Sequence, residues 1–424
     1  MLPKLTHHPV NWVDGMKMVR RHFTEFEQFV SDHLRDAVAG GLTSYNYGLL
    51  ASDLPDFSVQ IITDPSHNIR VQLTNCRAVT GAGCRIEVVN PPRPIELATS
   101  LSTILTDFQM PTADEMQFLV ILSVDLFNRQ PTGQPVAEAF PRPPFSLPTY
   151  ALSIVPRHQY NGPAGQRSPY QSHDFEALHL VVGQIDYKLG LLTPNDQYIP
   201  ACRTVNAHSR LRAWADSVQK LLSEVQRDCF LIVRKVCEKR GTEDARKAGA
   251  LAELIRDLCE QLATGLNDVL NQFGFRAHEQ PPIVLLEAIT LVTRHFQTAL
   301  MNLNSSATTG SVRMGDQLVL KYFQDWTDIS PERLTRQGLE RVITHSYNHT
   351  DIRPHLQLIT QCWTDIGRIM NELSKLDYIG QERKDRTVIV TSDRTNRDNL
   401  PNLPGTGLLD ETSAATVRRK LTGY

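Results

Sequence analysis

Between residues 57 and 189 the apolar positions fall in short runs, several of them alternating with polar ones, and from Arg203 onward they recur in steps of three and four. That change of period divides the chain into a strand-rich part and a helical part. The strand candidates are 57–63 (FSVQIIT), 69–75 (IRVQLTN), 84–90 (CRIEVVN), 118–126 (FLVILSVDL), 150–156 (YALSIVP) and 177–189 (ALHLVVGQIDYKL). Turn signals at Asp64-Pro65, Gly81-Ala82-Gly83 and Asn90-Pro91-Pro92 separate them, a density that predicts an antiparallel sandwich or barrel. One helix precedes the strands. Over 17–39, Phe23, Phe26, Val30, Leu34 and Val38 step by three and four, and Gly40-Gly41 ends the pattern. The proline-rich stretch from Gln130 to Tyr170, with Pro141, Pro143, Pro144 and Pro148, predicts a long surface loop, either a binding arm or a disordered segment.

In the helical part, Leu211, Ala215, Val218, Leu222, Val225, Cys229, Ile232 and Val236 alternate steps of four and three, the signature of a heptad seam. Leu251, Ile255, Leu258, Leu262, Leu266, Val269 and Phe273 predict a second helix ending near Gly274. Leu285, Ile289, Val292, Phe296 and Leu303 predict a third that opens after Pro281-Pro282. Short connections imply antiparallel neighbours in a bundle. The strict alternation of the first seam favours a supercoiled contact, within the chain or across subunits. After a polar break at 305–311 come helical patterns over 316–325, 331–345 and 350–375. The last carries Ile352, Leu356, Ile359, Trp363, Ile366, Met370 and Leu373 as a seam. A strand at 387–391 and a loosely ordered tail from Ser392 complete the reading. The expected architecture is α+β and multidomain: a β-rich domain with a leading helix over 1–200, a helical bundle over 201–305, and a mostly helical C-terminal domain with a flexible tail over 312–424.

At 424 residues the chain is long enough for two or three domains, and its net charge of −2 gives no global pull toward nucleic acid or anionic membrane. Short basic clusters, Arg20-Arg21 and Arg418-Arg419-Lys420, fit solvated helix faces. Seven widely spaced cysteines with no C-x-x-C imply free thiols in a reducing compartment rather than a zinc ribbon or redox site. The N-terminal residues lack the apolar run of a signal peptide, and no uncharged apolar run reaches the ~20 residues of a membrane span. A cytoplasmic protein without direct membrane insertion is expected.

No catalytic constellation is visible. His345, His349 and His355 suggest a metal site, but no glutamate follows the first histidine as in a metalloprotease helix, and Asn348-His349-Thr350 suggests a break. Thr80-Gly81-Ala82-Gly83 lacks the continuation of a phosphate loop and fits a hairpin turn. Ser209 follows His208 with no acidic orienter, and Asp365 and Glu372 fall on expected solvent faces. No catalytic group, cofactor or metal is therefore assigned, and a metal-dependent enzyme is only a minor alternative. The segment around Trp12, Met16, Met18 and Phe23 carries more apolar surface than a chain terminus leaves in water. It is expected to dock, on its own sheet or on a partner.

"VNWVDGMKMVRRHF" resembles the N-terminal signature of the TssK family, baseplate subunits of type VI secretion systems, at Trp12, Gly15, Met16, His22 and Phe23. "YIPAC" at 198–202 is similar to the family's Y-I-P-P-C, with Ala201 in place of the second proline. "PPIVLLEAITLV" is similar to its proline-initiated bundle helix. The resemblance covers residues 8–305, and "LDYIG" at 376–380 is similar to Bacteroidetes-type members. It implies an N-terminal sandwich like the shoulder of phage receptor-binding proteins, a homotrimer supported by the bundle, and a structural rather than enzymatic role. It further implies that the N-terminal domain binds the wedge proteins TssF and TssG through Trp12, Gly15, Met16, His22 and Phe23. The C-terminal domain would link the baseplate to a membrane-complex component, at the inner face of the inner membrane. Leu211, Val218, Leu222, Val225, Ile232 and Val236 would serve the bundle or the oligomer. The family's C-terminal domain is an α/β head, from which the helical pattern here departs, so the membrane-side partner stays unidentified. A baseplate or receptor-binding protein of a phage tail or another contractile injection system is the alternative.

Overall fold

The computed structural model describes residues 5–51, 56–91, 93–135, 142–160, 178–303 and 315–381, the side chains of 244–249 excepted. The break at 305–311, the strand at 387–391, the tail and the cluster at 418–420 lie outside them, as do Pro141 and residues 161–170 of the proline-rich stretch.

The fold is mixed α and β with antiparallel sheets. Helix α1 (Arg20–Ala39) leads into β1 (Gly48–Leu49), β2 (Ser58–Thr63), β3 (Asn68–Val79), β4 (Arg85–Val89) and β5 (Ile95–Ser100). The long β3 is the spine of this first sheet, pairing with each of the other four strands. A short helix, α2 (Leu101–Asp107), then connects to β6 (Glu115–Thr132), β7 (Phe145–Pro156), α3 (Arg157–Tyr160), β8 (His179–Lys188) and β9 (Leu191–Pro194), and these strands form a second sheet in the order β7-β6-β8-β9. Ile69, Val71 and Leu73 of the first sheet share one core with Phe118, Val120, Leu122, Leu180 and Val182 of the second. The opposite face of the second sheet is also covered: Leu119, Ile121, Val155, Val181 and Tyr198 form their own cluster. Burial on both faces explains why 118–122 is an unbroken apolar run rather than an alternating one.

The proline-rich stretch differs from the expected loop. β6 and β7 stay paired out to Thr132↔Phe145, with Arg129↔Pro148 and Pro131↔Ser146 within the ladder. β8 leaves β6 at Ser123, so the outer part of this hairpin projects beyond the sheet as a two-stranded arm. Pro148 is tolerated because β7 is an edge strand. A bulge between Asp125 and Arg129 bends the arm, and the Asp125 carboxylate accepts the backbone N–H groups of Phe127 and Asn128, both at 3.0 Å.

The helical part holds α4 (Ser209–Glu238), α5 (Glu243–Arg276) and α6 (Pro282–Asn302), then α7 (Gly315–Thr327) and α8 (Pro331–Leu334). The chain passes through a π-helical turn at Thr335–Glu340 into α9 (Arg341–Thr344), and α10 (Arg353–Lys375) closes the fold. The α4 seam, from Leu211 to Val236, is buried inside the chain, so its apolar groups are not free for the cross-subunit contact considered above. α10 seals it. Ile352, Leu356, Ile359, Trp363, Ile366, Met370 and Leu373 are all buried, and α10 packs along α4. The Trp363 indole donates to the Thr293 hydroxyl of α6 at 3.1 Å. The C-terminal end of α10 is capped by Lys235 of α4, whose Nζ donates to the carbonyls of Ser374 and Leu376 at 2.7 and 2.9 Å. The core runs unbroken from the sandwich through the bundle to Ile379, so residues 315–381 complete the bundle rather than forming a separate head.

The "YIPAC" segment stitches sandwich to bundle. Leu49 N–H donates to the Ala201 carbonyl at 2.8 Å, and Arg203 N–H donates to the Leu49 carbonyl at 2.9 Å. Gly48 sits at φ +108° against this segment, where a Cβ would lie 2.1 Å from the Ala201 oxygen. α6 is long and apolar enough to cross a membrane by length and composition. In this fold it is a bundle helix, with Leu285, Ile289, Val292 and Phe296 buried.

Candidate docking surface

α1 is attached to the sandwich by its polar side. Asp32 is buried, and its carboxylate accepts the backbone N–H groups of Thr6 and His7 at 2.7 and 3.0 Å and pairs with Arg35 at 2.7 Å. Burial raises the Asp32 pKa, but the two N–H donors and the guanidinium outweigh it and hold the carboxyl below its ordinary value. Arg129 of the arm donates to the Ser31 hydroxyl at 2.7 Å and pairs with Glu27 at 3.3 Å. The His7 ring lies 4.0 Å from that of Phe127. The last turn of α1 rests on the β3–β4 hairpin, where Gly83 at φ +83° leaves room that a Cβ would take from the Arg35 carbonyl, 2.3 Å away. The glycine-rich stretch is therefore a hairpin turn and a seat for the helix.

The apolar stripe points the other way. Phe23, Phe26, Val30, Leu34 and Val38 are 51, 45, 37, 63 and 45% exposed, while Asp32, Arg35 and Ala39 are the buried residues of the helix. At 100° per residue the two sets lie on opposite sides of α1. The stripe is roughly 22 Å long at 1.5 Å per residue. Ahead of it, the chain turns at Val13–Met16, with Gly15 at φ +78° in open space. The Trp12 ring stands edge-on to His22 at 6.0 Å, and Trp12, Val13, Met18 and Val19 are exposed.

Of the expected site residues, Trp12 and His22 are thus brought together, Gly15 makes the turn, Met16 is half-buried and Phe23 opens the stripe. Phe26, Val30, Leu34 and Val38 were legible as a helix pattern but not as surface, because Asp32 and Arg35 are residue types expected to face water.

The other candidates resolve differently. Among the described residues, no group of three His, Cys, Asp or Glu side chains could hold a metal. His349 instead bridges: its Nε2–H donates to the Tyr47 carbonyl at 2.9 Å, and Nδ1 accepts from the Tyr347 hydroxyl at 2.7 Å. His208 caps α4 by accepting the Arg210 N–H at 3.3 Å, and burial pushes it down to about 4. Asp365 is not on a solvent face. It is buried and holds Arg333 through two bonds of 2.8 and 2.6 Å, since an ion pair lets a carboxylate sit inside.

Neither a family model nor a curated protein sequence matches the chain. Solved structures that resemble it include TssK and chains of type VI secretion baseplate complexes. A crystal structure of TssK aligns over 85% of this chain and 69% of its own, at 12% identity and a TM-score of 0.46. A chain of the type VI secretion baseplate complex aligns over 86 and 99%, at 14% identity and a TM-score of 0.44. A chain of the TssK–TssF–TssG baseplate subcomplex aligns over 85 and 99%, at 14% and 0.41.

Proposed function

We propose that this chain is a structural adaptor of a type VI secretion baseplate. It works as a homotrimer, binding wedge proteins of the TssF and TssG type through its N-terminal domain. It links them to a membrane-complex component through its C-terminal helices. The observation that carries the reading is α1: a helix anchored by a buried Asp32–Arg35 pair that turns five apolar side chains to water. Such a face has no use in a monomer in solution and matches an assembly component. The sequence signature at Trp12, Gly15, Met16, His22 and Phe23 supports the same reading, because those residues lead directly into the stripe. With the α4 seam already filled by α10, trimer contacts fall to other surfaces of the bundle and sandwich.

Co-expression with TssF and TssG from the same gene cluster tests this. The expected result is a stable complex on size exclusion and, for the chain alone, three times the monomer mass by light scattering. A monomer at micromolar concentration that leaves the wedge proteins unbound overturns the proposal.

A further inference from the structure

The sandwich and the C-terminal helices meet at a cleft of about 630 Å³, lined by Tyr47, Arg157, His345, Tyr347, His349 and Asp351 among others. Four contacts clasp the loop between α9 and α10 to the sandwich side. His349 donates to the Tyr47 carbonyl at 2.9 Å. The Arg157 guanidinium meets Asp351 at 2.5 Å, the Tyr198 hydroxyl donates to the Thr350 carbonyl at 2.6 Å, and Arg353 donates to Asn195 at 2.8 Å. At the first turn of α10, beside this loop, lies His355. It is 5% exposed, its ring is 4.8 Å from that of His345, and neither ring nitrogen has a hydrogen-bond partner.

A neutral imidazole can be held this way, whereas an imidazolium would be a buried cation with no acceptor. Of the charged groups around this loop, Asp351 gives its Oδ2 to Arg157 while its Oδ1 is buried without a hydrogen-bond partner, Arg353 is engaged by Asn195, and His345 opposes the charging of His355. His349 is already committed as a donor to Tyr47, with Tyr347 on its other nitrogen.

We infer that the 345–355 segment is an acid-sensitive clasp, in which protonation of His355 beside His345 releases this loop and the first turn of α10 from the sandwich. The sign follows from burial, which with His345 pushes His355 from 6.5 down to about 4. The open form then binds the proton more readily than the closed form, so closure weakens as pH falls below 6.5 and loses the whole effect near 4. Between pH 7 and pH 5 those two values give about a 20-fold rise in the opening equilibrium.

Hydrogen exchange on the full chain, with rates normalised to an unstructured peptide of the same sequence, tests the clasp. Protection of the 345–356 amides should fall about 20-fold from pH 7 to pH 5, while that of α4 is retained. The His355→Leu variant should abolish this fall; if it does not fold, His355→Asn is judged by the same criterion. A wild-type segment whose protection ignores pH, a variant that keeps the fall, or a loss of protection across the whole molecule at once would each overturn the inference.

Discussion

In α4, Leu211, Val218, Leu222, Val225, Ile232 and Val236 lie under α10 and the other bundle helices. In α1, Phe23, Phe26, Val30, Leu34 and Val38 follow nearly the same spacing and face water. The two helices differ in what their opposite faces offer. α4 is mostly polar or charged around its seam, Phe230 and Leu231 excepted, although it also buries Asp228, bonded by Asn371 at 3.2 Å. α1 carries Asp32 and Arg35 three residues apart, and the backbone N–H groups of Thr6 and His7 complete a polar anchor on that side. Once the anchor holds, the apolar stripe is left outward. A periodic stripe therefore says that a helix forms, and the opposite face decides whether the stripe is core or interface.

Leu222→Asp places a charge in a filled layer and should cost about 5 kcal/mol or more, enough to unfold the chain or collapse its melting temperature. Calorimetry or circular dichroism reads this directly, and an unchanged melt would mean that the seam is open. Trp363→Ala removes the largest fully buried side chain and its bond to Thr293, for a loss of about 3–5 kcal/mol in denaturant titration.

Asp32→Ala tests the anchor of α1. It leaves Arg35 unpaired and should detach α1 and the N-terminal segment at a cost of about 1–3 kcal/mol, seen as faster proteolysis before residue 40. Because the Asp32 carboxyl is held below 3.8, its contribution is present above that pH and is lost as pH falls through the lower folded value. The N-terminal segment should therefore loosen in strong acid. Smallest of all, Phe26→Asp or Leu34→Asp should change stability by no more than about 0.5 kcal/mol, because both side chains are already solvated.

Much of the fold was legible. The switch from short strands to three-and-four steps near residue 203, the proline start of α6 and the Gly40-Gly41 stop of α1 all follow from local chemistry. β5 and β9 were not seen. Ile95–Ser100 sits directly behind a proline cluster, and Leu191–Pro194 is too short to show a period, so only pairing with β3 and β8 makes them strands. The arm itself was one of the readings, but its strand pairing was missed, because proline argues against a central strand and only topology reveals that β7 is an edge. Along the exposed N-terminal segment, Trp12, Gly15, Met16, His22 and Phe23 were singled out by the family resemblance, and their partner-binding role is the proposal made above. The outward direction of Phe26 to Val38 depends on a buried ion pair that no periodicity contains.

We propose the α1 stripe as a mating face and not misplaced core. The most direct measurement is sedimentation of the Phe26→Asp/Leu34→Asp double variant with TssF and TssG, alongside its melting curve. A melting temperature within a degree or two of wild type together with loss of the complex is the predicted result. A melting temperature many degrees lower, or a complex formed as tightly as wild type, would contradict it.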